Sequence, residues 1–219
     1  MSDWENLARA LSGHAPLRIG GDTPRAAVAL VFRDGEPGGL ELLFIRRAEH
    51  EQDPWSGHMG FPGGRTEPDD ADIEATAVRE TREETGLDLA ADGERLGALD
   101  EVKALARGRP VDLVIAPFVF RLRQRLDGAP SHEVVSLHWL PLERLLSPET
   151  RSTLEYQYEE TLLELPCLRI DGLVIWGLTY RMFESLVRIL SEAGTATHVK
   201  GEEHGDRDAR RVKGGDPGE

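Results

Sequence analysis

Apolar residues in the first part of the chain fall into short runs separated by turn-forming residues. Ala26–Phe32 is a continuous apolar run, rich in Val and too short for a stable lone helix, so it predicts a buried strand. A second run, Leu40–Arg46, predicts another strand, and the Asp-Gly-Glu-Pro-Gly-Gly stretch between the runs has the composition of a turn. The two runs together predict a β-hairpin.

Apolar residues recur at helical spacing near both ends of the chain. One stripe predicts a short helix over Asp3–Leu11, and another predicts a longer helix over Leu178–Ala193 that packs on a mixed sheet. Strand-like runs lie between them, with Asp171-Gly172 as a tight turn, so the alternation of elements indicates an α/β fold. The further predicted strands are Arg95–Val102, Leu113–Leu122, Val134–Trp139, Leu162–Leu165 and Leu173–Trp176.

A helix is also predicted in the middle of the chain, where the apolar positions change to a helical period. It covers Asp70–Thr85, with Asp69 or Asp70 as the capping residue at its start and Gly86 as the residue that ends it. The preceding segment, Arg47–Pro62, has no sustained period and contains several Pro and Gly residues, so it is expected to be a loop.

Composition bounds the kind of protein. The 219 residues, 39% of them apolar and 30% charged, suit one globular domain, which we expect over residues 1–193 with a disordered, charge-dense tail over 194–219. No apolar run approaches the length of a membrane span, and the first residues lack the pattern of a secretory signal. Because Cys167 is the single cysteine and fits a reducing compartment, a cytoplasmic protein without a membrane partner is expected.

The net charge of −14 lies almost wholly in the predicted domain, since the tail holds six acids and five bases. Such a surface repels bare polyanions, which argues against nucleic acid as a partner. A small phosphorylated substrate would need a bound cation to offset the repulsion between its negative charge and that of the domain.

Three carboxylates share one face of the central helix. At 100° per residue, Glu83 lies about 60° to one side of Glu80 and Glu84 lies about 40° to the other. Like charges at these spacings destabilise a helix by roughly 0.2–0.5 kcal/mol per pair, and a hard divalent cation would remove that conflict. An isolated string of this kind would be a solvated face, with Arg79 paired to Glu83. The Gly63-Gly64 loop before the helix and the Gly stop after it favour a metal site instead.

These residues resemble the box of the Nudix hydrolase family, G-x5-E-x7-R-E-U-x-E-E-x-G-U, where U is aliphatic. Its second half is matched from Arg79 to Leu87, except that Thr81 replaces an aliphatic residue. In its first half, the spacing from Gly64 to Arg79 is one residue longer, and an Asp at position 69 or 70 stands about where the first Glu, largely structural in the family, would be.

The longer spacing is similar to that of a Nudix branch, the coenzyme A pyrophosphatases, whose signature has the form L-L-x-x-R-x-A and then G-x3-F-P-G-G. Leu42–Ala48 reads Leu-Leu-Phe-Ile-Arg-Arg-Ala, and Gly57–Gly64 ends in Gly-Phe-Pro-Gly-Gly. The branch usually has a basic residue where this chain has Asp53. Trp176–Arg181 also resembles the branch, so the resemblance covers roughly Ala26–Leu190.

The resemblance implies a Nudix fold, in which a mixed β-sheet is sandwiched between α-helices. It implies that Glu80, Glu83 and Glu84, with the Gly64 carbonyl, bind Mg²⁺ or Mn²⁺. Glu80, Glu83 and Arg79 are then the expected catalytic residues, and Arg79 orients the carboxylates by ion pairing.

The general base is left open between a glutamate of the box and Glu133. Arg46, Arg47 and Arg65 are candidates to contact phosphate oxygens, because guanidinium groups match them in paired geometry. Arg46 and Arg65 are preferred as substrate-binding residues.

Two further residue types near the predicted site are considered. Trp55 and Trp139 are candidates to stack on an adenine, although Trp is more often a core or rim residue. His58 and His132 receive no role, because a lone His there is more often a hydrogen-bonding residue than a base.

The expected function is hydrolysis of a diphosphate linkage between a nucleoside and another group. Coenzyme A or acyl-CoA is the leading substrate, and the products would be 3′,5′-ADP and (acyl-)phosphopantetheine. ADP-ribose, a dinucleoside polyphosphate or another nucleotide is the alternative substrate. A Nudix module that senses a nucleotide without cutting it is the alternative class, and a homodimer is left open.

Overall fold

The structure is a computed structural model that describes residues 2–36, 38–49, 57–106, 109–158 and 161–194, together with the backbone of 210 and 211. Side chains of residues 105–110 lie outside the description. None of the helices in these ranges combines the length and the apolar character that a membrane span requires.

The predicted hairpin is confirmed. β1 (Arg25–Asp34) and β2 (Leu40–Arg47) pair antiparallel, with Phe32 opposite Leu42. β1 is buried along nearly its whole length because it lies inside the sheet with both faces covered, which explains its continuous apolar run.

The hairpin belongs to a central mixed sheet of eight strands within the described residues. Its other strands are β3 (Met59–Gly60), β4 (Gly63–Arg65), β5 (Gly93–Ala98), β6 (Val102–Ala106), β7 (Arg109–Leu122) and β8 (Val134–Pro141). The main path runs β3-β2-β1-β7-β5, while β4 pairs with β1, β6 with β7 and β8 with β2. β1 and β7 pair in parallel, whereas the other strand pairs of this sheet within the described residues are antiparallel.

Apolar cores cover both faces of this sheet. On one face, α1 (Asp3–Gly13) and α5 (Gly177–Glu192) pack against residues such as Leu30. On the other face, α2 (Ile73–Thr85) packs against residues such as Ala29. A mixed sheet between helices is therefore confirmed. The shorter helical segments are α3 (Leu89–Asp92), α4 (Leu142–Leu146) and a 3-10 turn at Pro148–Thr150.

A second, smaller sheet is formed by strands that lie on both sides of α5 in the sequence. Asp171 and Gly172 form the predicted tight turn inside it, and both have positive φ angles, 51° and 79°, as a type I′ hairpin turn requires. The strands of this sheet are β9 (Arg151–Tyr158), β10 (Thr161–Ile170), β11 (Leu173–Trp176) and β12 (Arg210–Arg211).

The start of α2 differs from the prediction. Asp72, rather than Asp69 or Asp70, is the N-cap, and its side chain accepts a hydrogen bond from the backbone of Ala75 at 2.8 Å. Asp70 is committed elsewhere, because its carboxylate binds Arg79. The predicted stop at Gly86 is confirmed, with φ at 70°.

Several strand boundaries also differ. The predicted strand Arg95–Val102 is interrupted after β5, where the Asp100 carboxylate accepts a hydrogen bond from the backbone of Leu17 at 2.9 Å instead of facing a ladder. β9 is a strand that the apolar pattern did not reveal, because its residues are only half-buried. The predicted loop Arg47–Pro62 contains β3, a two-residue strand too short to show a period.

The predicted tail lies outside the described residues except for Gly194 and the backbone pair in β12, which lies beside β10. Its disorder and the single domain over 1–193 therefore stay predictions. Asp53 and Trp55 also lie outside the described residues.

Leu186 on α5 has no exposed surface and packs in the core beneath the sheet. We expect Leu186→Ala to lower the free energy of unfolding by about 2–5 kcal/mol, because it removes buried methyl groups and leaves a cavity. Denaturant unfolding measures the change.

The matched control is Leu17→Ala, since the side chain of Leu17 is 71% exposed. It should change the free energy of unfolding by less than about 0.5 kcal/mol. Equal losses in the two variants would contradict the placement of α5.

Candidate active site

The two glycines before α2 form β4 against β1. Gly63 lies opposite Val28 with φ at 152°, and a Cβ there would overlap the carbonyl oxygen of Ala27. A side chain at this position would therefore push β4 away from the sheet.

Gly64 brings the backbone against the carboxylate of Glu80. A Cβ built on Gly64 would fall on the Glu80 carboxylate group. The absence of a side chain at Gly64 is thus what lets a helical carboxylate touch the backbone of β4.

α2 is tied to the core on the side away from solvent. Thr81, fully buried, donates its hydroxyl hydrogen bond to the carbonyl of Ala77 at 2.7 Å. The polar side chain that replaces an aliphatic residue of the box is therefore satisfied within the helix.

The loop before β8 holds the C-terminal end of α2. The backbone of Ala129 donates to the Thr85 carbonyl at 2.8 Å, and that of Ser131 donates to the Glu84 carbonyl at 3.0 Å. Two carbonyls that the helix leaves unpaired are thereby satisfied, and the loop lies next to the acidic face.

Glu84 is the buried carboxylate of the site, with 3% of the residue exposed. Its Oε2 accepts a hydrogen bond from the backbone of Gly63 at 2.8 Å, and its Oε1 lies 3.4 Å from a guanidinium nitrogen of Arg47. Burial raises the pKa of Glu84 to about 7, although the Gly63 hydrogen bond and Arg47 oppose the shift, and the charges of Glu80 and Glu133 add to it.

Glu80 and Glu83 continue the acidic face outward. Burial raises the pKa of Glu80, while Arg79 opposes the shift and Glu83 and Glu133 reinforce it. Glu83 is more open, with 53% of its side chain exposed, and it pairs with Arg79 at 3.0 Å. The predicted acidic face is present, and the exposure of its side chains increases from Glu84 through Glu80 to Glu83.

Arg79 connects this face to the segment before the helix. Its guanidinium donates to both oxygens of Asp70 at 2.9 and 3.1 Å, to Glu80 at 2.9 Å and to the carbonyl of Arg65 at 3.0 Å. The hydrogen bonds from Arg79 hold the pKa of Asp70 well below its usual range. Of the two acids that could stand for the first acid of the box, Asp70, rather than Asp69, contacts Arg79.

The three candidate phosphate-binding arginines lie in different surroundings. Arg47 contacts Glu84. Arg46 is exposed and lies near His138. Burial lowers the pKa of His138, and the charge of Arg46 lowers it further. Arg65 is exposed, and its backbone carbonyl binds Arg79. The side chain of Arg47, rather than that of the preferred Arg46 or Arg65, contacts Glu84 on the acidic face. Strand alternation could have indicated this, since Arg47 shares the parity of Leu43, which packs with α2.

Glu133 lies close enough for its charge to act on Glu80 and Glu84, with 63% of its side chain exposed. Its carbonyl accepts a hydrogen bond from the backbone of Ala48 at 2.8 Å, which places it beside the end of β2. His132 lies next to Glu133 with 91% of its side chain exposed.

Trp139, the aromatic candidate within the described residues, makes contacts with residues other than the box glutamates. The ring of Trp139 is covered by the guanidinium of Arg33 at 4.0 Å, and its indole nitrogen donates to the carbonyl of Asp127 at 3.0 Å. The ring of His58 lies 4.8 Å from that of Trp176. Nothing in these contacts presents Trp139 to a base, so its stacking stays a prediction.

The side chains around the acidic face fit a hard divalent cation. Within the described ranges, no three Asp, Glu, His or Cys side chains form a ready-made cage, and Glu80 and Glu83 instead hold Arg79. Burial nevertheless raises the pKa of Glu84 and the charge of Glu80 adds to that shift, while the Glu80 carboxylate lies against the Gly64 backbone. Two partly buried carboxylates next to backbone oxygen are the ligands that Mg²⁺ and Mn²⁺ prefer, with water completing the shell.

Comparison with known proteins agrees with this geometry. The family model of the NUDIX domain matches residues 22–161. The chain is 40% identical over 121 residues to an uncharacterized protein of Schizosaccharomyces pombe, covering 52% of this chain and 36% of that protein. It is 30% identical over 177 residues to a mitochondrial coenzyme A diphosphatase of Mus musculus, covering 77% of this chain and 79% of that enzyme.

A solved structure supports the fold. The MutT/nudix family protein from Enterococcus faecalis aligns with a TM-score of 0.51 at 14% identity, covering 87% of this chain and 75% of that one. A mixed sheet between helices, with a glycine strand held against an acidic helix, defines a Nudix fold. The chain belongs to the Nudix hydrolase family.

The Arg79–Asp70 pair gives a prediction on stability. Asp70→Asn should lower the free energy of unfolding at neutral pH by about 2 kcal/mol, because hydrogen bonds between charged groups contribute about 1.5–3 kcal/mol. The folded-state pKa of Asp70 is depressed, so its contribution is complete above its ordinary value of 3.8 and is lost as the pH falls below it. Denaturant unfolding from neutral pH to pH about 3 should show the difference from wild type shrinking.

Asp69→Asn is the control for this change, because Asp69 is exposed. It should leave the free energy of unfolding within about 0.5 kcal/mol of the wild-type value. A destabilisation by Asp70→Asn that persists unchanged at low pH would argue against the ion pair as its cause.

Proposed function

We propose that the protein is a metal-dependent hydrolase that cuts the diphosphate linkage between a nucleoside and another group. The observation that carries the proposal is the pair of carboxylates, Glu80 and Glu84, that are partly or fully buried against the Gly63-Gly64 strand. Burying acids together raises the free energy of the folded protein, and a divalent cation on them relieves that cost.

Glu80, Glu83 and Glu84, with the Gly64 carbonyl, would hold Mg²⁺ or Mn²⁺. A metal held there would supply positive charge to offset that of the diphosphate and would make an attacking water more acidic. Arg79 holds Glu80 and Glu83 in place, because its guanidinium contacts both carboxylates and is itself fixed by Asp70.

The proton of the attacking water needs an acceptor. Glu133 is one candidate for this acceptor. Its charge acts on Glu84 and Glu80, and its side chain is largely exposed. A glutamate of the box remains the alternative.

Coenzyme A or an acyl-CoA is the proposed substrate, with 3′,5′-ADP and (acyl-)phosphopantetheine as products. The motif in Leu42–Ala48 and the likeness to the mouse coenzyme A diphosphatase support this choice. ADP-ribose and dinucleoside polyphosphates are the second candidates. A non-catalytic nucleotide sensor is disfavoured, because such a module has no physical need to cluster three glutamates.

A cytoplasmic location stays a prediction from sequence, and a homodimer stays open. The lone Cys167 is fully buried, which agrees with a thiol that stays reduced.

A product screen tests the function. The protein is incubated with Mg²⁺ or Mn²⁺ and with coenzyme A, acetyl-CoA, ADP-ribose, NADH or diadenosine polyphosphates, and the products are identified by mass spectrometry. Glu84→Gln keeps an acceptor for the Gly63 hydrogen bond but removes the charge, so turnover should fall by several orders of magnitude with the fold retained. Metal-dependent cleavage that survives in Glu84→Gln would contradict the assignment, and the products of the wild-type enzyme decide among the substrates.

The contact between Gly64 and Glu80 gives a second test. Gly64→Ala should displace the Glu80 carboxylate and lower kcat by about 100-fold or more, because misplacement of a catalytic group by about 1 Å has an effect of that size. Gly39→Ala is the control, since a Cβ there meets open space at the distant turn between β1 and β2. Steady-state kinetics should show wild-type kcat in Gly39→Ala, and the same kcat in Gly64→Ala would refute the close contact.

A further inference from the structure

Arg33 is a buried arginine near the end of β1. It lies on the same face of the strand as Ala29 and Val31, which pack with α2. Only 4% of its side chain is exposed. Because charged side chains are seldom buried to this extent without partners, the contacts of Arg33 show what it holds in place.

The guanidinium of Arg33 binds the loop before β8 at two points. Its Nη1 donates to the carbonyl of Leu126 at 2.8 Å and to the carboxylate of Asp127 at 2.6 Å, while its Nε donates to Glu41 on β2 at 2.8 Å. The guanidinium also lies 4.0 Å from the ring of Trp139 on β8, whose indole nitrogen donates to the carbonyl of Asp127 at 3.0 Å. Arg33 and Trp139 therefore both hold the loop at Asp127.

The following residues of the same loop lie against the C-terminal end of α2. The backbone of Ala129 donates to the Thr85 carbonyl at 2.8 Å, and that of Ser131 donates to the Glu84 carbonyl at 3.0 Å. Glu133, at the end of the loop, is close enough for its charge to act on Glu84. The loop thus connects a buried arginine of the sheet to a carboxylate beside the acidic face.

We propose that Arg33 is a positioning residue, which holds the loop before β8 so that Glu133 stays at the acidic face as the acceptor of the proton from the attacking water. The Glu133 side chain is 63% exposed, so its place is set largely by the backbone that carries it. A fixed point at Asp127 restricts the conformations of that backbone. This inference rests on the proposed function, because it gives Glu133 the acceptor role described there.

A purely structural role for Arg33 predicts a different pattern, in which a substitution lowers stability without singling out the loop or the proton transfer. Arg25 gives the matched control, because it is also an arginine of β1 that binds a glutamate and a backbone carbonyl. Its guanidinium donates to Glu101 at 2.8 Å and to the carbonyl of Ile19 at 2.6 Å. These contacts fix the segment before β1 rather than the loop before β8.

Amide hydrogen exchange, followed residue by residue by NMR, tests whether Arg33 holds the loop. Arg33→Lys keeps the positive charge but lacks the planar fork that binds the loop and β2 together. The amides of Ala129 and Ser131 should exchange about 10-fold or more faster in this variant, because the loop loses charge-assisted hydrogen bonds. Arg25→Lys should leave both amides at their wild-type rates.

Trp139→Phe is the second variant and decides the question if Arg33→Lys does not fold. It retains a ring beside the guanidinium but removes the hydrogen bond to the Asp127 carbonyl. The amides of Ala129 and Ser131 should then exchange about 3-fold or more faster than in the wild type, as expected for the loss of one neutral hydrogen bond. Wild-type rates in this variant would count against a loop held at Asp127.

Steady-state kinetics on the compound that the product screen identifies tests whether the loop serves the proton transfer. Glu133→Gln should lower kcat by about 100-fold or more, the size of a lost general base. Arg33→Lys should lower kcat by about 10-fold with KM unchanged, because the acceptor is displaced while the substrate binds as before. The double variant should be no slower than Glu133→Gln, since displacing an acceptor that is absent has no further effect. Arg25→Lys should have the wild-type kcat.

The inference is overturned if the amides of Ala129 and Ser131 keep their wild-type exchange rates in Arg33→Lys. It is also overturned if Glu133→Gln keeps the wild-type kcat, or if the two losses of kcat multiply in the double variant. Failure of the proposed function is a separate result: in that case the wild type itself cleaves no compound in the product screen, while the exchange rates still show whether Arg33 holds the loop.

Discussion

The negative charge of a buried carboxylate must be compensated by nearby donors or cations, and the structure around the buried Glu84 supplies both. The compensation comes from the backbone N–H of Gly63 and from Arg47. Gly63 can supply that N–H only because β4 lies directly against β1, in a conformation that a side chain would prevent. The glycines, the sheet edge and the acidic helix are therefore one arrangement, in which each part depends on the position of the others.

Two arginines serve this arrangement in different ways. Arg79 is fixed by both oxygens of Asp70 and in turn holds Glu80 and Glu83, so it joins the helix to the segment before it. Arg47 contacts the buried Glu84 carboxylate at 3.4 Å from β2. Arg79 therefore orients the two more exposed carboxylates, whereas Arg47 helps to compensate the charge of the buried one.

The site is assembled from segments that are far apart in sequence. β2 supplies Arg47, β4 supplies the glycines, α2 supplies the glutamates, and the loop before β8 brings Glu133 while its Ser131 N–H binds the last turn of α2. The mixed sheet brings these segments together at one place, since β4 and β2 both pair with β1 and β8 pairs with β2.

The sequence by itself determined the elements with a strong local signal and the residue types of the site. The hairpin of β1 and β2, the amphipathic ends α1 and α5, the stop at Gly86 and the shared face of three glutamates all follow from periodicity or from single residues with one suitable role. Weak or short elements such as β3, β9 and the break after β5 did not follow, because half-buried or two-residue strands have no clear period.

Only the tertiary structure decided which of two chemically similar neighbouring residues makes a given contact. Asp72 caps the helix and Asp70 binds Arg79, although both are acids just before the helix, and the difference lies in where the preceding segment passes. Arg47 meets Glu84 while Arg46, its neighbour, does not, because adjacent residues of a strand point to opposite faces. Local sequence determines which types of side chain are present near the site. Contacts between segments that are distant in sequence determine which of those side chains makes each interaction.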